Sequence, residues 1–491
     1  MQSILKNNTI DKPQRALVLA GGGALGAYEV GVLKTLCKKL REKDKENHEE
    51  DRLLFDIVAG TSIGAMNGAV LVSRYLETEN WEDETKRWEE AIKHLEKFWT
   101  DDSKGLASNV QVDTLNNWNR WKVEVDEEWY EKVSSVFASK EAARRYYSAQ
   151  YFFGAGTPRV NKPLPARPDF KFIDDEYNKW TYIHTIQPLK ESIQCFASLL
   201  PISTTFHKDN HKEPRLLIFS VDVLEGETVT FDSYPKSDGS RKSEYGKYDK
   251  KTRAYQHVIN YPGITIDHIM ASGTLPEIYD YAKVPIHQTL NNGNVDKENK
   301  DGVRYFWDGG LLSNTPFREL LRAHEDYWTV VERSNTIPDL EVYIVNLHPS
   351  NIDAPIPPID HDGVKARLND ITFCDRNSHY DEGIARLLSN YKDFVTQMKE
   401  LVNKAISKID DPDITKEFEG ILETPITGED VTDDCGKYKD LLNGRFKLTK
   451  VLRVERKNDA YDISNKVADF TRETITQLVE KGENDALNLF I

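Results

Sequence analysis

The stretch 16-ALVLAGGGALG-26 joins a short apolar run to a glycine-rich turn. A continuous apolar run is typical of a strand that is buried on both faces of a parallel sheet. From Leu25 to Leu40, apolar residues recur at helical spacing, so the glycine-rich turn connects a predicted strand to a predicted helix.

A second glycine-rich turn, Gly60-Thr61-Ser62-Ile63-Gly64, follows the apolar run 55–58 and precedes a predicted helix that ends near Leu76. The G-x-S-x-G spacing places a serine hydroxyl on a sharp turn between a strand and a helix. Glycine on either side removes side chains that would obstruct a strained backbone. The repeated alternation of strand and helix predicts an α/β fold, in which helices cover both faces of a mostly parallel sheet.

The composition excludes several classes of protein. The 491 residues carry a formal net charge of −16, which argues against nucleic acid as a partner. Four widely separated cysteines without a C-x-x-C pair indicate a reduced, cytoplasmic protein. The polar start predicts no signal peptide. The apolar stretch 16–33 contains five glycines and Glu29, so we interpret it as strand, turn and helix rather than a transmembrane segment.

Changes of pattern along the chain suggest two domains: a catalytic domain at 1–348 and a helical C-terminal region at 349–491. A helical, aromatic insertion at about 81–200 interrupts the first domain, and six of the nine tryptophans lie between Trp81 and Trp129. The remaining expectations are a charged linker at 41–52, helices at 81–98, 126–149, 264–271, 381–409 and 462–487, strands at 216–221, 228–231, 305–307 and 340–347, and a polar loop at 234–253.

Ser62 is the candidate nucleophile, and it needs a base that takes its proton. The N–H of Ile63 is a natural oxyanion donor because it follows the nucleophile. The turn at Gly22, Gly23 and Ala24 offers a second set of backbone donors, since glycine permits close approach to a tetrahedral intermediate.

The base is less evident from the residues. Asp308 lies in the segment Trp307-Asp308-Gly309-Gly310, and it could act directly on Ser62 if its surroundings raise its pKa. A triad of Ser62, Asp308 and His348 is the alternative, because these residues occur in the order of an α/β-hydrolase triad.

Three other patterns have weaker interpretations. Gly21, Gly23 and Gly26 also satisfy G-x-G-x-x-G, but the acidic residue of a dinucleotide site is missing at the end of the second strand. His207 and His211 have helical spacing, yet their polar surroundings with Pro214 disfavour a metal site. The basic loop 236–253 could contact phospholipid, although a solvated hairpin insertion is favoured.

Four motifs in the same order resemble the patatin-like phospholipase family. They are the turn Gly21–Gly26, the elbow Gly60–Gly64, the segment Ala271-Ser272-Gly273-Thr274-Leu275-Pro276, and the turn Asp308-Gly309-Gly310. The resemblance covers about Arg15 to Leu347. It implies a three-layer α/β/α sandwich and hydrolysis of lipid acyl esters by a Ser–Asp dyad, with no metal and no cofactor.

The resemblance assigns Ser62 as nucleophile, Asp308 as base and Gly21–Gly23 to the oxyanion hole, to which the motif geometry adds Ala24 and Ile63. The supporting glycines are Gly26, Gly60, Gly64, Gly309 and Gly310. Ser272 is expected to be structural. Leu25 occupies a position that usually carries Arg or Lys in the family, so a cation that could orient a phosphate is absent there.

The expected partner is a lipid ester, a phospholipid or lysophospholipid first, reached by transient peripheral contact with a membrane. Two rival functions remain open. An acyltransferase would use the same site with an alcohol in place of water, and a catalytically weak lipid-binding protein is suggested by Leu25.

Overall fold

The fold was analysed in a computed structural model of the chain. The residues that it describes are 12–108, 145–146, 148–149, 181–206, 212–249, 254–285, 302–334, 336–351, 357–358, 361–374, 376–409, 412–425, 437–439, 446–457 and 463–490.

A mostly parallel sheet of eight strands forms the centre of the molecule, in the order β10-β9-β1-β2-β3-β8-β7 with β4 paired to β3. The first five of these strands are parallel to one another, and β4, β7 and β8 pair antiparallel. The strands are β1 (Gln14–Leu19), β2 (Ile57–Thr61), β3 (Arg215–Asp222), β4 (Thr228–Asp232), β5 (Arg241–Asp249), β6 (Ala254–Tyr261), β7 (Ala282–Pro285), β8 (Val303–Asp308), β9 (Leu340–Asn346) and β10 (Leu448–Glu455).

Helices pack against both faces of this sheet. Alternate residues of β1 belong to two different hydrophobic cores, Leu17 and Leu19 to one and Ala16 and Val18 to the other. The predicted three-layer α/β/α fold is therefore confirmed. The helices are α1 (Ala27–Glu46), α2 (Ile63–Glu77), α3 (Glu84–Thr100), α4 (Gln187–Phe196), α5 (Ile266–Ala271), α6 (Phe317–Asp326), α7 (His361–Phe373), α8 (Arg376–Ile409), α9 (Pro412–Leu422) and α10 (Arg472–Asn488).

The charged linker predicted at 41–52 is wrong in its first half, because α1 continues to Glu46. Asp44 is fully buried there and accepts two hydrogen bonds from the guanidinium of Arg15, at 2.5 and 2.8 Å. The charged segment that was predicted to be solvated thus includes a buried ion pair between α1 and β1. Asp44 is therefore engaged by Arg15. The end of β2, where a dinucleotide site would have its acidic residue, carries the Ser62 turn instead.

The polar loop predicted at 234–253 is also wrong in part. Residues 241–249 form β5, which pairs with β6 in a separate two-stranded antiparallel sheet. Tyr245 and Ser243 turn inward from this hairpin, and Tyr245 donates a hydrogen bond to the buried carboxylate of Asp222 at 2.6 Å. The favoured interpretation, a hairpin insertion, describes the architecture better than a loop.

The aromatic insertion begins with a helix that belongs to the core. Trp88 and Trp99 on α3 are fully buried, and the indole N–H of Trp99 donates to Asn67 on α2 at 3.0 Å. The tryptophans of α3 therefore pack the interior, whereas Trp81, which precedes the helix, is 45% exposed. Most of the helix predicted at 126–149 lies outside the described residues, as do His207 and His211.

The C-terminal region contains the expected helices and one strand that the pattern did not predict. β10 pairs in parallel with β9 at the end of the central sheet. α10 packs against α1 at a close crossing: a Cβ on Gly31 would lie 1.9 Å from the carbonyl oxygen of Val479, and one on Gly482 would lie 2.1 Å from that of Tyr28. β10 and α10 are thus packed into the same sheet and core as β1 and α1.

Within the described ranges, no helix combines the length and the apolar character needed to cross a bilayer.

Candidate active site

Strand register brings Ser62 and Asp308 to the same point of the sheet. On β3, Phe219 pairs with Thr61 and the next residue, Ser220, pairs with Asp308. β4 pairs with the other edge of β3 over the same residues. β2 and β8 therefore share one edge of β3, where the end of β2 meets the end of β8. The residue that follows β2 and the last residue of β8 are therefore neighbours.

The turn at Ser62 is strained in the way that the glycine spacing predicts. Ser62 has φ +56° and ψ −125°, a conformation that costs a non-glycine residue about 1–3 kcal/mol. A Cβ on Gly60 would lie 2.4 Å from the carbonyl oxygen of Gly64, and one on Gly64 would lie 2.3 Å from that of Leu19. Both glycines are required because α2 begins directly against the ends of β1 and β2.

Ser272 supports this turn from the other side. Its hydroxyl accepts a hydrogen bond from the Ser62 N–H at 2.9 Å and donates one to the carbonyl of Phe219 at 2.6 Å. The side chain is fully buried, so the hydroxyl ties the backbone of the Ser62 turn to β3. The structural role expected for Ser272 is therefore to hold the backbone of the Ser62 turn against β3.

We expect Ser272→Ala to lower kcat/KM about 10-fold while KM changes little, because the Ser62 N–H loses its acceptor and the turn loses its orientation. Steady-state kinetics on one soluble ester would measure this effect. Ser73→Ala is the matched control, since Ser73 is also a fully buried serine and accepts from the N–H of Leu199 at 3.0 Å, away from the site. Equal kinetics for the two variants would contradict the positioning role.

Asp308 is buried at the bottom of the site. One carboxylate oxygen, Oδ1, accepts the N–H of Gly310 at 2.7 Å, whereas Oδ2 has no well-formed hydrogen bond to a described residue. Burial raises the pKa of Asp308 to about 7, although the adjacent Ser62 hydroxyl and the Gly310 N–H act to lower it. A carboxylate with that pKa is matched to proton transfer near neutral pH.

The first glycine-rich turn lies beside Ser62. No described residue accepts a hydrogen bond from the N–H of Gly22 or Gly23, and both residues line a cavity next to Ser62. Gly23 has φ +54°, and a Cβ there would lie 2.4 Å from the carbonyl oxygen of Val467. Glycine is required at 23 for its backbone conformation and for this close contact.

Two predicted oxyanion residues are placed differently. The N–H of Gly21 already donates to the carbonyl of Asn314 at 3.1 Å, so it is not available to a substrate. Ala24 is fully buried and does not line the cavity. Ile63 does line the cavity, and no described residue accepts a hydrogen bond from its N–H. Leu25 is buried in the core, with 2% of its surface exposed, and presents nothing to the site.

The supporting glycines 26, 60, 64, 309 and 310 allow close packing around the site. A Cβ on Gly26 would lie 2.6 Å from Ile63, and one on Gly309 would lie 2.3 Å from the carbonyl oxygen of Phe219. Gly310 lines the cavity and donates its N–H to Asp308.

Sequence reasoning missed Asn314. Its amide donates to the carbonyl of Gly21 at 3.2 Å and to that of Phe373 at 2.7 Å, which links the first glycine turn to α7. The available signal was the segment Ser313-Asn314-Thr315-Pro316 shortly after Asp308, since an asparagine before a proline turn often bonds to backbone.

The alternative triad is not formed. The ring nitrogen Nδ1 of His348 lies 3.1 Å from Asp370 on α7, not beside Asp308. His348 follows β9, two strands away from β2, which corresponds to about 10 Å along the sheet. Asp308 lies on the other side of Ser62 and cannot orient this imidazole.

The cavity has a volume of about 130 Å³ and a largely apolar lining. Side chains from distant parts of the chain close it, including Leu106, Leu189, Phe373 and Phe470. Two of these residues follow position 348, so the C-terminal region contributes to the wall of the site.

Comparison with known proteins agrees with the motifs. The family model described as patatin-like phospholipase matches residues 17–321, which is more than half of the chain. The chain therefore belongs to the patatin-like phospholipase family, whose members are lipid acyl hydrolases.

Solved structures give a more distant likeness. The crystal structure of VipD from Legionella pneumophila matches with 12% sequence identity and a TM-score of 0.29, over 97% of this chain and 66% of that chain. This chain thus spans slightly less than two thirds of the length of VipD. A comparison with curated protein sequences finds no significant match.

Proposed function

We propose that this protein is a serine lipid acyl hydrolase of the phospholipase A or lysophospholipase type, working through a Ser62–Asp308 dyad. The observation that carries the proposal is the register of β3, whose consecutive residues pair with Thr61 and Asp308. A strained serine and a buried carboxylate of raised pKa are thereby neighbours at the edge of an apolar cavity.

In the first half of the reaction, the Ser62 hydroxyl attacks the ester carbonyl and its proton passes to the Asp308 carboxylate. The carbonyl oxygen becomes an oxyanion, which the N–H groups of Gly22 and Gly23 would stabilise with help from Ile63. Such donors are typically worth about 10²–10³ in turnover each. The proton then moves from Asp308 to the departing alkoxide, and an acyl-enzyme remains.

In the second half, water attacks the acyl-enzyme while Asp308 takes its proton, and the proton returns to Ser62 as the fatty acid leaves. Asp308 thus serves twice as a base and twice as an acid, which suits a pKa of about 7. None of these steps uses a metal or a cofactor.

The substrate class follows from the family and from the apolar lining of the cavity, which suits an acyl chain. The proposal includes a cytoplasmic enzyme that reaches its substrate by transient contact with a membrane surface. Four exposed apolar side chains on α8 support such contact because they recur every seven residues: Tyr380, Leu387, Phe394 and Leu401.

A fluorophosphonate probe tests the dyad directly, with the adduct located by mass spectrometry. We expect labelling of the wild type at Ser62, no labelling of Ser62→Ala, and labelling of Asp308→Asn at least about 100-fold slower. Ser73→Ala serves as a control for loss of a buried serine.

Undiminished labelling of Asp308→Asn would refute Asp308 as the base. Absence of an adduct on the wild type, together with binding to lipid vesicles, would favour a lipid-binding protein over the enzyme. Product analysis with added glycerol would separate hydrolysis from acyl transfer.

A further inference from the structure

A second group of buried polar side chains lies beside the proposed oxyanion turn. His348 follows β9 and lines the same cavity as Ser62, with 3% of its surface exposed. β9 is the direct neighbour of β1, so His348 lies on the oxyanion side of the cavity, opposite Asp308. A Cβ on Gly22 would lie 2.8 Å from the side chain of Leu347, the residue before His348.

Two other side chains fix the orientation of the His348 ring. Nδ1 lies 3.1 Å from Oδ1 of Asp370, and the ammonium of Lys466 lies 2.7 Å from Oδ1 and 2.9 Å from Oδ2 of the same carboxylate. Asp370 is fully buried and Lys466 is 4% exposed. Hydrogen bonding to His348 and the charge of Lys466 outweigh burial and lower the pKa of Asp370 to about 2.

The ionised Asp370 requires Nδ1 to carry the hydrogen that it accepts. Burial lowers the pKa of His348, so the ring is neutral near pH 7 and Nε2 carries a lone pair. Nδ1 is already used, so Nε2 is the polar atom that the ring can offer to the cavity. No described residue hydrogen-bonds to Nε2.

Other polar side chains of the cavity wall are Tyr279, Asn314 and the two residues of the dyad. The Asn314 amide donates to the backbone of Gly21 and Phe373, while Ser62 and Asp308 would perform the chemistry. A neutral, oriented acceptor in a largely apolar wall favours a ligand with a hydroxyl donor, because a buried acceptor that is left unpaired is unfavourable.

We propose that His348 is a positioning residue whose Nε2 accepts a hydrogen bond from a hydroxyl group close to the reacting ester. The hydroxyl has two possible sources: the lipid ester itself, as in a partly acylated glycerol lipid, or the water or alcohol that attacks the acyl-enzyme. This inference rests on the proposed function and adds a preference that the dyad alone does not provide.

The first arm of the test compares two soluble esters of equal chain length, a 1-acyl-glycero-3-phosphocholine and its 2-deoxy analogue. We expect the wild type to prefer the hydroxylated ester about 10-fold in kcat/KM, which corresponds to one neutral hydrogen bond. His348→Phe should abolish the preference, because it lowers kcat/KM more for the hydroxylated ester than for the deoxy ester. His348→Gln should restore part of it, because an amide can donate to Asp370 and accept from the hydroxyl.

The second arm measures deacylation of one acyl-enzyme, formed from p-nitrophenyl butyrate, by burst kinetics with and without glycerol. A slower deacylation in His348→Phe, by about 10-fold, would assign the hydroxyl to the attacking water or alcohol. A changed ester preference with normal deacylation would assign it to the substrate. Either result supports the positioning role.

The variants should fold, because Asp370 keeps Lys466 as its partner, and thermal unfolding would verify this. If His348→Phe leaves both the preference and the deacylation rate unchanged, or lowers kcat/KM for both esters equally while deacylation stays normal, His348 has no positioning role. If the wild type itself shows no Ser62-dependent turnover, the proposed function fails and this inference fails with it. The Ser62→Ala variant distinguishes these two cases.

Discussion

Asp308→Asn is expected to lower kcat by about 10³-fold and, at the same time, to stabilise the folded protein at pH 8. The loss of turnover follows from removal of the proposed base. The gain in stability follows from burial, because the native state must hold a carboxylate in surroundings that raise its pKa to about 7.

The sign of the pH dependence can be worked out from this pKa. Between the ordinary value of 3.8 and about 7, the unfolded chain releases the Asp308 proton while the folded chain retains it. Folding therefore becomes less favourable as pH rises through this window, by on the order of 4 kcal/mol in total, and the penalty stays constant at higher pH. Asparagine removes the penalty, so the variant should gain stability at pH 8 and little at pH 4.

Urea denaturation at pH 4 and pH 8 measures the difference between Asp308→Asn and the wild type. Asp370→Asn is the opposite control: the pKa of Asp370 is lowered, so its carboxylate stabilises the fold at pH 8 and the variant should lose stability there. The same base predicts that kcat/KM of the wild type rises with pH up to about 7 and then levels. A profile that is flat from pH 5 to 8 would argue against Asp308 as the base.

Gly31→Ala is expected to destabilise the protein by about 3 kcal/mol or more, a large effect for one added methyl group. The new Cβ would lie 1.9 Å from the carbonyl oxygen of Val479 and 2.7 Å from the backbone nitrogen of Glu483. Both contacts are with the backbone of α10, so no side chain can rotate away. α10 would have to move off α1, and the cavity wall at Phe470 would be disturbed with it.

Gly383→Ala provides the matched control. Gly383 also lies within a helix, α8, but a Cβ there would meet nothing within 4 Å. Alanine should stabilise this site by about 0.5–1 kcal/mol through its higher helix propensity. Thermal and urea unfolding of the two variants would show whether a loss of stability comes from the close helix packing or from the replacement of glycine itself. A similar change in stability for both variants would contradict the tight crossing of α1 and α10.

The part of the fold that could be predicted from sequence is the part whose signal is local. The apolar runs at β1, β2 and β9 and the glycines around Ser62 each reflect a constraint within a few residues. Gly60 is required by the backbone of Gly64, four residues later, whereas Gly64 is required by the backbone of Leu19 on the neighbouring strand β1.

The wrong predictions concern residues whose surroundings are set by contacts with distant parts of the chain. From its sequence neighbours alone, Asp44 resembles a solvated charge. Its ion pair with Arg15, which lies on another element, becomes evident only in the structure. β10 mixes apolar residues with Thr449, Lys450 and Arg453 without regular alternation, so its pairing with β9 is not evident from the sequence. A hairpin was favoured for the basic segment, but its strands were not predicted, because their inward residues are few and hydroxylated.

The residues of the candidate site also divide into those with a local sequence signal and those without one. Ser62 and the glycine turns are recognisable from their motifs, and Asp308 from its place in the order of motifs. The contacts of Asn314, His348 and Asp370 are not evident from their sequence neighbours, because α7 and the segment at Lys466 assemble these surroundings. The boundary proposed at residue 348 stays a prediction, and it divides residues that line one cavity.

The docking of α10 on α1 also has a consequence for biosynthesis. The hydroxyl of Tyr28 donates to Asp485 across a separation of 457 residues, and the cavity wall includes Val467 and Phe470. A nascent chain that already carries Ser62 and Asp308 therefore still lacks one side of its pocket. Nascent chains from which the segment 463–490 has not yet emerged should therefore lack the proposed activity toward lipid esters.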